Sequence, residues 1–336
     1  MSAPEEQQIA RFHRNLQSWY QQHGRHDLPW RCVDDPYAIW VSEVMLQQTQ
    51  VKTVLERYYF PFLERFPTVE QLANADLQEV LKCWEGLGYY RRARHMHAAA
   101  QQLAGQPWPQ EVRALQALPG IGRNTAHALA AFAFKKPYAV MEANVKRVVA
   151  RIFALTTPKD AELWAAAQSL VNRADPFNYN QAMMDLGARI CTPRKPDCEH
   201  CPAAFFCAGQ GNPAAYPQAA KRKALPVRSC HIVLFQSPQA RYYITPREEE
   251  FLHGMWQFPQ VDSAQEHILF ANQLHAIRAM RKLGDVQHDY SHFRLKAGIF
   301  LQPLPFETEE PAYWKAKDAI AAAPLSRTEK KILSFL

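Results

Sequence analysis

Long hydrophobic runs are missing from this chain of 336 residues. None approaches the roughly 18 apolar residues that a membrane span needs. Met1–Gln8 is polar and acidic. It lacks the apolar core of a secretory signal, so a cytoplasmic location is expected. No unit repeats at a fixed period and no tract is of low complexity, which sets aside repeat architectures. A disulfide framework is also absent: of seven cysteines, Cys32, Cys83 and Cys230 are scattered singly. Free thiols of this kind point to a reducing interior. Nor is there an acidic excess. The formal charge is +7, which suits an acidic partner, nucleic acid first, and equally suits a mildly basic enzyme. The length favours two domains, and 48% hydrophobic residues suffice for two cores.

What is present is concentrated in one loop. The other four cysteines read Cys191-x6-Cys198-x2-Cys201-x5-Cys207. Four thiolates converging from a short loop are what a cuboidal iron–sulfur cluster requires. Zinc is the rival occupant, but structural zinc sites usually show two short Cys-x2–4-Cys pairs. Here only Cys198 and Cys201 form one, so the wider gaps fit a single wrapped cluster better. The loop is too short to be a domain and must be an appendix to something larger.

Residues 8 to about 190 read as helices. Apolar residues recur at helical spacing through Val44, Leu46, Val51, Val54, Leu55 and Tyr58. Thr68-x-x-Gln71 and Asp76-x-x-Glu79 read as capping boxes, and prolines punctuate the pattern. After the cysteines, 213–228 is rich in Ala, Pro, Lys and Gln and reads as a linker, with the basic run Lys221-Arg222-Lys223 available to phosphates. Strands follow: His231–Phe235 and Tyr242–Thr245 form a hairpin pattern, and Phe293–Leu301 alternates apolar and polar. The expected division is a mostly α region over 1–212, a linker over 213–228 and a smaller α+β domain over 229–336.

Leu118-Pro-Gly-Ile-Gly-Arg-Asn-Thr-Ala126 lies between two helical stretches. Gly120 and Gly122 free the backbone, and a helix starting near Arg123 aims its positive end at the same place. Such a hairpin grips a DNA backbone without reading sequence. Alone it is weak evidence and is often only a tight turn.

Together with the cysteine loop and an acidic residue downstream, this hairpin resembles the helix-hairpin-helix DNA glycosylases that carry a [4Fe–4S] loop. Leu28-Pro-Trp-Arg31, Ser42-Glu-Val-Met-Leu-Gln-Gln-Thr-Gln-Val51, Gly86-Leu-Gly-Tyr-Tyr90 and Asn180-Gln-Ala-Met-Met-Asp-Leu-Gly-Ala188 are similar to the MutY-type adenine glycosylases within that superfamily. The similarity spans about residues 8–212. It implies removal of adenine mispaired with 8-oxoguanine in double-stranded DNA by a monomer, with Cys191, Cys198, Cys201 and Cys207 as cluster ligands.

Cutting adenine from deoxyribose needs an acid that protonates the base and a carboxylate that meets the cation-like sugar. The resemblance implies Glu43 as the acid, the plain alternative being a solvated helix glutamate. The second carboxylate departs from the family's Asp-Gly-Asn-Val: here Glu142-Ala-Asn144-Val stands instead. Glu keeps the charge and adds one methylene, about 1.5 Å of reach. Asn124 is a second departure, from a Tyr or Ser. In the endonuclease III-like relatives this position is a Schiff-base lysine, and Asn cannot serve so. A monofunctional enzyme is therefore expected. The resemblance further implies that Arg31 and Gln181 line the adenine pocket and that Asn144 supports the site. Gln47, Gln48 and Tyr89 would probe the duplex, which must give up its base by flipping. Gly120, Gly122, Arg194 and Lys195 would contact phosphates.

Gly254-Met-Trp-Gln-Phe-Pro259 and Tyr290-Ser-His-Phe293 resemble signatures of the family's Nudix-like C-terminal domain, with Tyr290 in place of the usual Phe. Tyr290, Ser291 and His292 are the implied lesion readers. The acid run in Arg247-Glu-Glu-Glu250 lacks the spacing of a Nudix metal helix and reads as a solvated turn. Two other readings stay open. One is an endonuclease III-like pyrimidine-lesion glycosylase. The other, raised by Glu142, is a lesion-binding protein with weak or no catalysis.

Overall fold

The computed structural model describes residues 6–218 and 224–336. Lys221-Arg222-Lys223 lies outside the described residues. No helix among them is long and apolar enough to cross a membrane. The described chain divides into two compact units, 6–70 with 98–218 and 71–97 with 224–336.

The first unit is helical. Helix Glu6–His23 buries Phe12, Leu16 and Tyr20, spaced four apart on one face, and packs on helix Pro176–Arg189. Helix Pro36–Leu46 begins at Asp35, whose carboxylate accepts from the amides of Tyr37 and Ala38 at 3.0 and 3.2 Å. Every residue from Tyr37 to Met45 on it is buried, so any charge it carries is desolvated. The apolar stripe expected to run from Val44 to Tyr58 is not one helix. The chain breaks at Gln47–Gln50, where Gln48 takes φ +56°, and resumes as helix Val51–Arg57. Helix Arg123–Phe132 follows the glycine hairpin where expected. Of the two hairpin glycines, Gly120, at φ +74°, uses a conformation that favours glycine. Gly122 is extended, and its worth is the open space beside its Cα. Helix Ala143–Ile152 packs on Pro176–Arg189, so closely that a Cβ on Gly187 would lie 2.8 Å from that of Asn144.

The second unit is built on a six-stranded sheet. Its order is Trp314–Lys315, Tyr242–Tyr243, Val227–Gln236, Arg294–Pro303, Arg281–Asp289, with Gln260–Asp262 also paired to Val227–Gln236. The two long central strands are parallel, with Ile232 opposite Ile299. Ile232 and Leu234 face one core, Val233 and Phe235 another. Both faces of this strand are thus covered, which explains its unbroken apolar run. Ala297, Ile299 and Leu301 alternate as the sequence pattern implied. Arg247 corrects the solvated-turn reading: it is 8% exposed and donates to Glu329 Oε1 at 2.9 Å, while Glu248, Glu249 and Glu250 are exposed. The described structure is therefore a mostly α unit and a smaller α+β unit.

Candidate active site

Glu43 sits on the all-round buried helix Pro36–Leu46 and is itself 9% exposed. Burial pushes its carboxyl up to about 8, the neighbouring Glu142 adds to the rise and Arg31 opposes it. Glu142 occupies the N-cap position of helix Ala143–Ile152 but makes no side-chain capping bond. Burial raises its carboxyl too, against the guanidinium groups of Arg25 and then Arg31. The charge of Glu142 disfavours ionisation of Glu43, so the pair favours a state in which one acid keeps its proton. Two cations bear on Glu142 and one on Glu43, which favours the proton on Glu43.

Those cations are held by a residue that the motif contained but the sequence reading left without a role. Asp185 is fully buried. It accepts from Arg25 Nε and Nη2 at 2.8 and 2.5 Å, and from Arg31 Nη1 and Nη2 at 2.8 and 2.9 Å. Burial opposes its charge, yet the Arg31 and Arg25 guanidinium groups hold its carboxyl below the ordinary range. Arg31 is thus fixed by Asp185, with only 4% of its side chain exposed. Its Nε remains buried and unpartnered, as does Oε1 of Gln181 on helix Pro176–Arg189. One buried donor and one buried acceptor are thus left without a partner.

The remaining expected residues fall as follows. Asn144 accepts from Arg147 Nη2 at 3.0 Å, and Arg147 Nε donates to the Cys191 carbonyl at 2.8 Å, so this helix joins the acid site to the cysteine loop. Asn124 Oδ1 accepts from the Met141 amide at 2.6 Å. Gln47 Nε2 donates to Thr125 Oγ1 at 3.1 Å, and Gln48 is exposed. Arg194 and Lys195 are exposed.

Cys191, Cys198, Cys201 and Cys207 line one pocket. Among the described residues no three His, Cys, Asp or Glu side chains are grouped to hold a single metal ion. Four thiols around a common space are a donor set suited to a thiophilic metal centre. Arg151, 3% exposed, stitches the loop by donating to the carbonyls of Thr192 and Pro193 at 2.7 and 3.1 Å and to Cys191 Sγ at 3.3 Å.

The second unit has its own cavity of about 940 Å³, lined among others by Tyr89, Arg94, Arg228, Ser291, His292 and Arg327. Tyr89 is 44% exposed and takes φ +50°. Ser291 and His292 are exposed at a turn closed by Tyr290 N to Phe293 O, 2.9 Å, and by the Asp289–Arg294 ion pair. Tyr290 OH meets Thr328 Oγ1 at 2.6 Å. Phe251 sets its ring edge-on to both Tyr290 and His292.

Comparison with known proteins agrees with this anatomy. Residues 41–173 match the HhH-GPD superfamily base excision DNA repair protein family, and 231–335 match the NUDIX domain. The adenine DNA glycosylase of Rattus norvegicus is 34% identical over 96% of this chain and 77% of its own length. That of Buchnera aphidicola subsp. Acyrthosiphon pisum is 30% identical over 89% of this chain and 88% of its own. Among solved structures, a thermostable thymine-DNA glycosylase superposes with a TM-score of 0.56 at 29% identity, covering 61% of this chain and 97% of that one. An endonuclease III–DNA complex superposes at 0.53 with 20% identity over 62% and 98%, a likeness of fold. The chain belongs to the adenine DNA glycosylases, enzymes of base excision repair.

Proposed function

We propose that the enzyme flips adenine out of 8-oxoguanine·A and G·A mispairs in double-stranded DNA and hydrolyses its glycosidic bond without cutting the strand. The coupled carboxyl pair carries this reading. Glu43 keeps a proton near neutrality and delivers it to the departing base. Glu142, facing Arg25 and Arg31, stays ionised and stabilises the sugar as positive charge develops. Asn124 and Asn144 support the pair. The unpartnered Arg31 Nε and Gln181 Oε1 receive the adenine edge. No lysine stands at Asn124 to form a Schiff base, hence the monofunctional assignment.

Around this centre, Gly120, Gly122, Arg194 and Lys195 contact phosphates, while Gln47, Gln48 and Tyr89 probe the opened duplex. The positive φ of Gln48 and Tyr89 supports that role, since such strain gathers at functional positions. Ser291 and His292, presented by Tyr290, read 8-oxoguanine. The four cysteines hold a [4Fe–4S] cluster that cross-links their loop. In this reading 1–212 is the catalytic region, 213–228 a linker and 229–336 the reading domain, acting as a monomer in the cytoplasm.

Duplexes carrying 8-oxoguanine·A, G·A, G·T or thymine glycol, with and without alkali, test the proposal. Cuts at A that need alkali are expected. Cuts that need none would assign a lyase, and binding without base release would assign a lesion binder.

A further inference from the structure

The chain enters Glu142 along a segment, Pro137 to Met141, that belongs to no helix or sheet. Side chains take the place of neighbouring strands. In extended chain, the carbonyl of one residue and the amide two positions on share an edge. Gln168 spans such a pair, donating from Nε2 to Pro137 O at 2.7 Å and accepting from Ala139 N at 3.0 Å. The same edge continues through His127 Nδ1 to Ala139 O at 2.9 Å and through Asn124 Oδ1, which accepts from Met141 N at 2.6 Å. The opposite edge belongs to Asn180, which donates from Nδ2 to Tyr138 O and accepts at Oδ1 from Val140 N, both at 2.9 Å.

The four side chains come from three helices, Arg123–Phe132, Asp160–Ser169 and Pro176–Arg189. A grip on one edge would leave the segment free to roll about that edge. A grip on both edges fixes its rotation as well as its position, up to the residue that precedes Glu142. The glutamate gains no help from capping, because its side chain makes no capping bond. Its extra methylene adds a torsion to be controlled, and displacements of about 1 Å in a reacting group can cost about 100-fold in rate.

We propose that Gln168, His127, Asn124 and Asn180 are a positioning set whose task is to fix the backbone of Glu142, so that the longer carboxylate serves base release. This rests on the reading of Glu142 given above. Asn124 has a further consequence: it lies two residues past Gly122, so the hairpin that grips phosphate also holds the last amide before Glu142.

The test is single-turnover adenine release from an 8-oxoguanine·A duplex by full-length, cluster-loaded protein. Variants are Asn124→Ala, Gln168→Ala and Asn180→Ala, each alone and combined with Glu142→Asp. Each single variant is expected to lower the rate constant by about 10- to 100-fold while duplex Kd moves less than about threefold. Glu142→Asp should then cost less in these backgrounds than alone, because the geometry it perturbs is already lost. Misfolding reduces the amplitude of the single-turnover phase and leaves its rate constant alone. Should buried Asn180→Ala fail to fold, the two partly exposed positions decide. Rate constants within threefold of wild type, or losses that simply multiply with Glu142→Asp, overturn the proposal. If Glu142→Gln releases adenine normally, the assignment of Glu142 itself falls and the positioning set falls with it. If Glu142→Gln is inactive and the set variants are normal, only the positioning inference falls.

Discussion

Glu43 is buried and Glu142 half-buried, whereas Ser291 and His292 stand in open solvent. Around the carboxyl pair nearly everything is committed: Asp185 holds both arginines and amide side chains hold the approach to Glu142. The reading turn is secured at its ends and leaves its two polar tips uncommitted except to each other, at 3.3 Å. The contrast suits the two tasks proposed above. A site that must shift a proton needs desolvation and fixed dipoles, and these require burial and second partners. A site that recognises an incoming base needs donors and acceptors still free to be taken.

The sharpest way to break this contrast is at the buried carboxyl of Glu43. Glu43→Gln keeps shape and removes the proton donor, so adenine release is expected to fall by about 10²–10⁴-fold with duplex binding retained. In the wild type, release should decline as pH rises through about 8, because Glu43 must hold its proton, and decline again in acid as Glu142 takes one. Stability gives an independent sign. The folded value of Glu43 lies above its unfolded value, so its stabilising contribution is complete below the unfolded pKa and is lost as pH rises towards and through about 8. The advantage of Glu43→Gln in Tm should therefore grow with pH over that window. An advantage flat across it would show that Glu43 is not buried as described.

Next in size is Asp185→Asn. Arg31 has 4% of its side chain exposed and Arg25 31%, so the charge stranded by this change is chiefly that of Arg31. Breaking one side of a buried pair costs about 3–5 kcal/mol, and urea unfolding should show a loss towards the lower end of that range. Arg31 also bears on both carboxyls, so the pH–rate profile should move as well. A stable variant with an unmoved profile would separate the arginine pair from the chemistry.

How much of this could be read from the residues depends on whether a role is carried by the side chain's own identity. The four cysteines and the glycine hairpin announce themselves by chemistry and spacing, Glu43 was reached only through the family resemblance, and the alternation at Ala297, Ile299 and Leu301 is a pattern in one strand. Asp185, Asn180, Gln168 and His127 do not. Each matters through a partner far along the chain, such as Asp185 with Arg31 or Asn180 with Val140. Asp185 and Asn180 sat in plain view within one motif, and an acidic residue on a buried helix face was a signal that it must meet a cation. The break at Gln48 was hidden for another reason. Apolar spacing continues across it, and nothing in a glutamine declares a positive φ.

The smallest effect tests the reading turn. Tyr290 stands where the resemblance leads one to expect Phe, and its hydroxyl meets Thr328, which is 1% exposed. Tyr290→Phe keeps the ring against Phe251 and removes that bond, leaving a buried hydroxyl short of a partner. The stability loss should be about 1 kcal/mol, with base release from G·A unchanged. Preference for 8-oxoguanine·A over G·A should weaken only a few-fold, since Ser291 and His292 remain in place. Ser291→Ala with His292→Ala should erase that preference at unchanged Tm, because both side chains are exposed. If Tyr290→Phe alone erased it, the turn would depend on its anchor as strictly as Glu142 depends on its approach. The two regions would then differ in exposure but not in how tightly they must be positioned.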